Sequence, residues 1–224
     1  MSTTAPPARI ASRVLALRRL SATGYELALE RGGLDFRAGQ LINIHGRDLL
    51  DDRSYTICSG ERDGHLNILF RLIPSGRLTP QLAVLRAGDG LEISGPYGEF
   101  TLRDAERRLF FIATGTGIAP CRAFVRTHTG LKLTLLHGVR NGEDLFYRDE
   151  FAGLDYRPCV SGGAEAFFAG RVTDLAARME LPADADYYLC GANEMFYDMR
   201  DLLAVRGVPP ARIFTEAYYY RGDD

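Results

Sequence analysis

The spacing of apolar runs changes character once along this chain, and that change limits the folds open to it. Up to about residue 100, apolar residues come in short, often alternating runs (9–20, 25–29, 40–45, 54–58, 66–72 and 90–94) separated by Gly, Asp and Ser turn signals. Such runs mark short strands, and six of them at this spacing predict a small antiparallel barrel. One helix is expected among them over 80–85, starting near Thr79. After Phe100 strands and helices alternate: a strand at 109–113, helix through 121–127, strand at 131–137, helix at 172–179, strand at 187–190, helix at 195–206 and strand at 213–216. That alternation builds a parallel sheet, because each helix returns the chain to begin the next strand in the same direction. The charged stretch 103–107 separates the two rhythms. The expected division is an N-terminal antiparallel β-barrel domain over 1–103 and a C-terminal α/β parallel-sheet domain over 104–224.

Composition narrows the function classes. With 224 residues, 46% of them hydrophobic, the chain has the make-up of an ordinary globular protein. A net charge of −2 argues against a general nucleic-acid binder, which would carry a basic excess. Lys132 is the only lysine, so arginine carries nearly all the positive charge. A GC-rich genome explains this most simply, although the arginine fork also suits phosphates and carboxylates. No run approaches the roughly 18 apolar residues of a membrane span. The basic start of the chain lacks the apolar stretch of a secretory signal, so a cytoplasmic location is expected. Cys58, Cys121, Cys159 and Cys190 form no CxxC pair, which argues against a zinc ribbon or a cysteine-held iron–sulfur cluster within this chain. The four histidines are equally scattered, and no metal site is expected.

The sharpest local signal is FFIATGTGIAPCRAF at 110–124. An apolar strand ends at Ala113, Thr114-Gly115-Thr116-Gly117 make a tight loop, and Pro120 stands where a helix begins. Glycines allow close backbone approach, and the N–H groups of a helix start attract a pyrophosphate. The plain alternative is a structural turn. The loop is not the common dehydrogenase fingerprint, which wants a third glycine or alanine where Pro120 stands and an acid about twenty residues on. At that later place the chain reads His137-Gly138-Val139-Arg140.

Four further segments follow in order: RSYT (Arg53–Thr56), GPYGEF (95–100), LCGANEM (189–195) and FTEAY (214–218). With ATGTGIAP they resemble the ferredoxin–NAD(P)H reductase superfamily, a flavin-binding barrel followed by a pyridine-nucleotide domain. The likeness runs from about Arg9 to Tyr218. It implies FAD as cofactor, with FMN less favoured, and NADPH or NADH as substrate. Arg53 would bind the flavin phosphate, with Ser54 beside it, Tyr55 packing on the isoalloxazine and Thr56 near flavin N5. The resemblance adds Arg71 and Leu72 as cofactor-binding residues, then the turn Gly76, Arg77, Leu78 and Thr79, in which Gly76 and Thr79 would meet the flavin phosphates. Thr79 as a plain helix N-cap explains the same residue locally. For the nucleotide it implies Thr114, Gly115, Thr116, Gly117, Pro120, Arg140, Ser161, Gly191 and Met195. Cys190 would lie beside the nicotinamide, Glu216 close to Cys190, and Tyr218 over the flavin face that the nicotinamide must occupy. Thr56, Cys190, Glu216 and Tyr218 are thus the expected catalytic set. Plain alternatives are a half-exposed strand at 53–56, a buried structural thiol at Cys190 and an aromatic strand edge at 218–220.

The chain departs from the family where many NADPH-using members carry serine followed by arginine, since here the sequence is Ser161-Gly162-Gly163. Arg122 and Arg140 are the candidates to compensate, and both nucleotides stay open. The resemblance implies hydride transfer from NAD(P)H to the flavin, then single electrons to ferredoxin, flavodoxin or another small electron-transfer protein. The chain is expected to act as a monomer. The reductase of an oxygenase system, a flavin reductase, and a non-catalytic flavin-binding electron-transfer subunit or sensor are the competing readings.

Overall fold

The computed structural model describes residues 8–46, 52–163 and 167–217. Tyr218, expected over the flavin, lies outside the described residues. The first half is a six-stranded antiparallel sheet of β1 (Ile10–Arg19), β2 (Gly24–Glu30), β3 (Leu41–His45), β4 (Arg53–Thr56), β5 (His65–Arg71) and β6 (Gly90–Tyr97). Its order is β4-β3-β6-β1-β2-β5, and a bridge between Ile57 and Ile68 draws the two edges together into a barrel. Alternation puts Ile42 and Ile44 of β3 inside, where they meet Leu27, Leu29, Ile68 and Phe70. The helix α1 covers only Thr79–Leu82, not the expected 80–85. Leu82 anchors it in the barrel core at 1% exposure, whereas Val84 beyond it is 74% exposed and has no apolar face to extend.

The second half is a parallel sheet of β7 (Arg108–Thr114), β8 (Lys132–Val139), β9 (Asp155–Val160), β10 (Phe168–Ala169), β11 (Asp186–Gly191) and β12 (Ile213–Ala217). Its order is β10-β9-β8-β7-β11-β12. Helices α2 (Ala119–Thr127), α3 (Val172–Ala177) and α4 (Asn193–Val205) connect the strands. Strand β9 was not expected: its sequence DYRPCV carries Pro158 and the charges of Asp155 and Arg157, features that argue against a strand. It is held by β8 on one side and by the two-residue β10 on the other, and Asp155 pairs with Arg157 at 2.8 Å.

The two halves share one core. Ala38, Cys58, Leu69, Phe100 and Leu102 pack in a single cluster with Phe111, Phe124 and Tyr188 of the second half. Phe100, the last residue of GPYGEF, meets Phe111 and Tyr188 edge-on and stacks with Phe124 at centroid distances of 5.6–6.3 Å. The chain order of the parallel sheet reverses between β7 and β11. Their C-terminal ends form the place where such sheets bind ligands.

Candidate active site

Three side chains from distant parts of the sequence meet where the barrel faces the ends of β11 and β12. Parallel pairing puts Cys190 opposite Glu216 in register. The barrel strand β4 ends there at Thr56, whose hydroxyl donates to Glu216 Oε2 at 2.8 Å. Cys190 Sγ lies 3.9 Å from the same oxygen. Thr56 and Cys190 are buried at 4% and 0% exposure. Burial pushes the Glu216 carboxyl from 4.5 up to about 7, against the opposing pull of the hydrogen bonds from Thr56 and Cys190. A carboxyl with its midpoint near neutrality can hold or release a proton under ordinary conditions.

Beside this group opens a cleft of about 400 Å³, within the usual size of a small-molecule site. Its wall includes Thr114, Gly115, Thr116, Arg140, Ser161, Gly191 and Met195 from the expected nucleotide set, and Arg71 from the barrel. The loop after β7 is tighter than expected, because Gly115–Ile118 form a 3-10 turn that runs straight into α2. Thr114 also has a structural task, accepting a hydrogen bond from the Ala192 N–H at 2.8 Å. Gly117 and Pro120 are buried and do not line the cleft. A Cβ on Gly117 would run into the Cys190 carbonyl oxygen, so only glycine lets the loop close onto β11. Gly191, at φ +132, is similarly locked against Thr114. The starts of the Gly115 turn and of α4 both border the cleft, and their unpaired first-turn N–H groups suit a pyrophosphate. Backbone geometry and wall chemistry therefore fit a dinucleotide.

The expected flavin residues lie along the open seam of the barrel. Apart from the Ile57–Ile68 bridge, β4 has among the described residues a strand neighbour on one side only, β3. Arg53 and Ser54 are exposed, and Tyr55 sets its ring edge-on to Phe70 at 6.3 Å. Arg71 is exposed at the end of β5, and the Leu72 N–H bonds to the Thr23 carbonyl at 2.7 Å. The turn from Ile73 to Thr79 is compact: a Cβ on Gly76 would lie 3.1 Å from the Ile73 carbonyl oxygen. Exposed arginines, a half-buried tyrosine and a tight glycine turn on one open seam fit a flavin with its phosphates. Two assignments need correction. Thr79 does not cap α1: its hydroxyl accepts from the Ile73 N–H at 3.0 Å, and the N-cap residue is Leu78. The Leu78 side chain is buried in the barrel core, which leaves only its backbone for a cofactor.

Arg122 is the clearest error. It is 5% exposed and bonded to Glu26 and Glu150, so it is not available to a nucleotide. Sequence reasoning missed Arg171, which lines the cleft and forms an ion pair with Glu194 at 3.4 Å. It also missed His137. That ring is fully buried, with Nε2 2.9 Å from the Gly115 carbonyl oxygen and Nδ1 3.3 Å from the Tyr156 hydroxyl. Burial drives its pKa down to about 4, against the bond to Gly115 and the charge of Asp144, so the neutral ring donates from Nε2 and props the loop. The one hint was its position at the end of the strand after the glycine loop. Among the described residues there is no cluster of metal-binding side chains.

Comparison with known proteins points in one direction. The family described as "Oxidoreductase FAD-binding domain" matches residues 18–102, and "Oxidoreductase NAD-binding domain" matches residues 111–201. The toluate 1,2-dioxygenase electron transfer component of Pseudomonas putida is 29% identical over 219 residues, covering 90% of this chain. The chain spans 65% of that relative's length. Among solved structures, the cytochrome P450 reductase GcoB of Amycolatopsis superposes with a TM-score of 0.85 at 26% identity, over 96% of this chain and 71% of that one. A ferredoxin NADP+ reductase from Neisseria gonorrhoeae, solved with FAD and NADP, shares the fold with a TM-score of 0.82 at 21% identity, over 94% and 99% of the two chains.

Proposed function

The chain belongs to the oxidoreductases that join an FAD-binding to an NAD-binding domain in the ferredoxin–NADP+ reductase fold, and from that premise we propose that it carries electrons from NADH or NADPH through bound FAD to a small carrier protein. The observation that supports this reading is the meeting of Thr56, Cys190 and Glu216 between the barrel and the ends of β11 and β12, next to the cleft that Gly191 lines. FAD, when bound, supplies the hydride acceptor and the means of passing electrons on singly.

The protein's own part is placement and proton handling. Arg53, Ser54 and Tyr55, with Arg71, Leu72 and the turn over Gly76, Arg77, Leu78 and Thr79, hold the flavin. The Gly115 turn and the start of α4 hold the pyrophosphate, with Arg140, Ser161 and Met195 further along the nucleotide. Thr56 fixes Glu216, which keeps or releases a proton at Oε2 near neutral pH. Cys190 supports the nicotinamide from behind, and Tyr218 belongs to the same set. The division between the two binding units is taken at residues 103 and 104.

The relatives that serve oxygenases favour an oxygenase component, or the ferredoxin that feeds one, as the electron acceptor. Flavodoxin is the second candidate. No described helix is long and apolar enough to cross a membrane, and we place the protein in the cytoplasm as a monomer. Anaerobic titration of the flavin-loaded protein with each nucleotide, followed by chromatography of the released flavin, tests the proposal. Reduction by either nucleotide with FAD recovered supports it. A flavin band that persists through both titrations overturns it.

A further inference from the structure

A buried ion cluster pins the barrel to the nucleotide domain, and the reaction described above leaves it without a task. Arg122 on α2 uses its whole guanidinium fork. Nε and Nη2 donate to Glu150 at 3.0 and 2.8 Å, and Nη1 donates to Glu26 at 2.8 Å. Nη1 also lies 3.5 Å from the Cys58 carbonyl oxygen. Glu26 belongs to β2 of the barrel, and Cys58 stands two residues beyond Thr56. The guanidinium stacks 4.0 Å over the ring of Tyr147, whose hydroxyl donates to Glu26 at 2.9 Å. Tyr147 has a left-handed backbone, φ +61, the only positive φ among described non-glycine residues. Residues with a Cβ adopt that conformation at a cost, so the surrounding contacts must hold it there.

The electrostatics agree with a fixed cluster. Burial would raise the Glu150 carboxyl, but the bonds and charge of Arg122 and Arg126 hold it below its ordinary value. Burial would likewise lower Arg122, yet Glu150 and the neighbouring acidic groups keep it firmly charged. A buried pair of this kind adds little net stability over an apolar contact, so its geometry is the more informative property. Arg122 is carried by the helix that begins at the glycine loop, and it reaches the barrel at Glu26 of β2 and at Cys58, two residues beyond Thr56.

We propose that Arg122 is a positioning residue whose cluster with Glu26, Glu150 and Tyr147 fixes Thr56 and the flavin seam relative to the nucleotide loop, and so sets the distance across which hydride moves. This rests on the NAD(P)H-to-FAD reading above. Hydride transfer needs contact distance and alignment, and a displacement of ~1 Å costs about a hundredfold in rate. Lysine keeps the charge but cannot hold Glu26 and Glu150 through one rigid plane.

The test compares FAD-loaded wild type, Arg122→Lys and Tyr147→Phe. Stopped-flow gives the limiting rate of flavin bleaching and the dissociation constant of NADH, and amide hydrogen exchange reports the interface. In Arg122→Lys the limiting rate is expected to fall roughly ten- to hundredfold with the dissociation constant within about twofold. Amides of segments 56–59 and 121–126 should exchange faster together. Tyr147→Phe keeps the ring and removes one donor, so a smaller loss in the same direction is expected. If Arg122→Lys does not fold, Tyr147→Phe decides by the same readouts. An unchanged limiting rate alongside faster exchange overturns the proposal, as does a rate that falls only in step with weaker NADH binding. A wild type that neither NADH nor NADPH bleaches is instead the failure of the oxidoreductase reading.

Discussion

Replacing Glu216 by glutamine should change how stability depends on pH, by an amount that follows from the site. The Glu216 carboxyl titrates near 4.5 when unfolded and near 7 in the folded protein. Between those values folding takes up a proton, so its contribution is complete below pH 4.5 and is lost as pH rises to about 7. A difference of 2.5 pH units corresponds to about 3.4 kcal/mol in total, of which about 2.5 kcal/mol falls between ~pH 5 and ~pH 8. His137 works in the opposite sense. Its pKa falls from 6.5 unfolded to about 4 folded, so its contribution is complete above 6.5 and is lost as pH falls towards 4. Over the shared window the two slopes largely cancel, and wild-type stability should be nearly flat there. Glutamine keeps an acceptor for the Thr56 hydroxyl and removes the titration. The variant should therefore show the His137 slope alone, with stability rising as pH rises. Urea unfolding of both flavin-free proteins across ~pH 5 to ~pH 8 measures this, and their difference should grow by about 2.5 kcal/mol in favour of the variant. Parallel profiles would refute the argument that the half-buried Glu216 has a raised pKa.

Thr56→Val and Cys190→Ala should each slow flavin reduction, by roughly tenfold or more, yet leave the flavin bound; stopped-flow and absorbance of the desalted protein check both. Arg140→Ala removes an exposed cleft cation, and should weaken NADPH by about tenfold while leaving NADH within about twofold, as titration of each nucleotide would show. Phe100→Ala empties the centre of the shared aromatic cluster, and should cost about 3–5 kcal/mol in denaturant unfolding.

The sequence carried the large features because they rest on local chemistry. The change from period-two runs to strand–helix alternation correctly separated an antiparallel from a parallel sheet, and the ordered motifs contain Thr114, Gly115, Thr116, Gly191 and Met195, which line one cleft. What escaped depended on contacts between distant segments. Strand β9 reads as a loop because Pro158 and two charges argue against it, and only its position beside β8 makes it a strand. Arg122 looked like a phosphate ligand because it follows the glycine loop. Which way it faces on α2 is decided by Glu26, almost a hundred residues earlier. His137 looked like one of four unrelated histidines, and its partner is a backbone carbonyl that no side-chain pattern can display. Thr79 satisfied every local rule for an N-cap but bonds six residues back, because the compact turn brings Ile73 within reach.

The central claim is direct hydride transfer across the crevice that Thr56, Cys190 and Glu216 border. Anaerobic stopped-flow with NADH or NADPH deuterated separately at each face of C4 tests it most directly. The flavin band should bleach, and deuterium should slow bleaching from one face only, as transfer from a nicotinamide held in a single orientation requires. Bleaching with no isotope effect from either face, or no bleaching with either nucleotide, would contradict it.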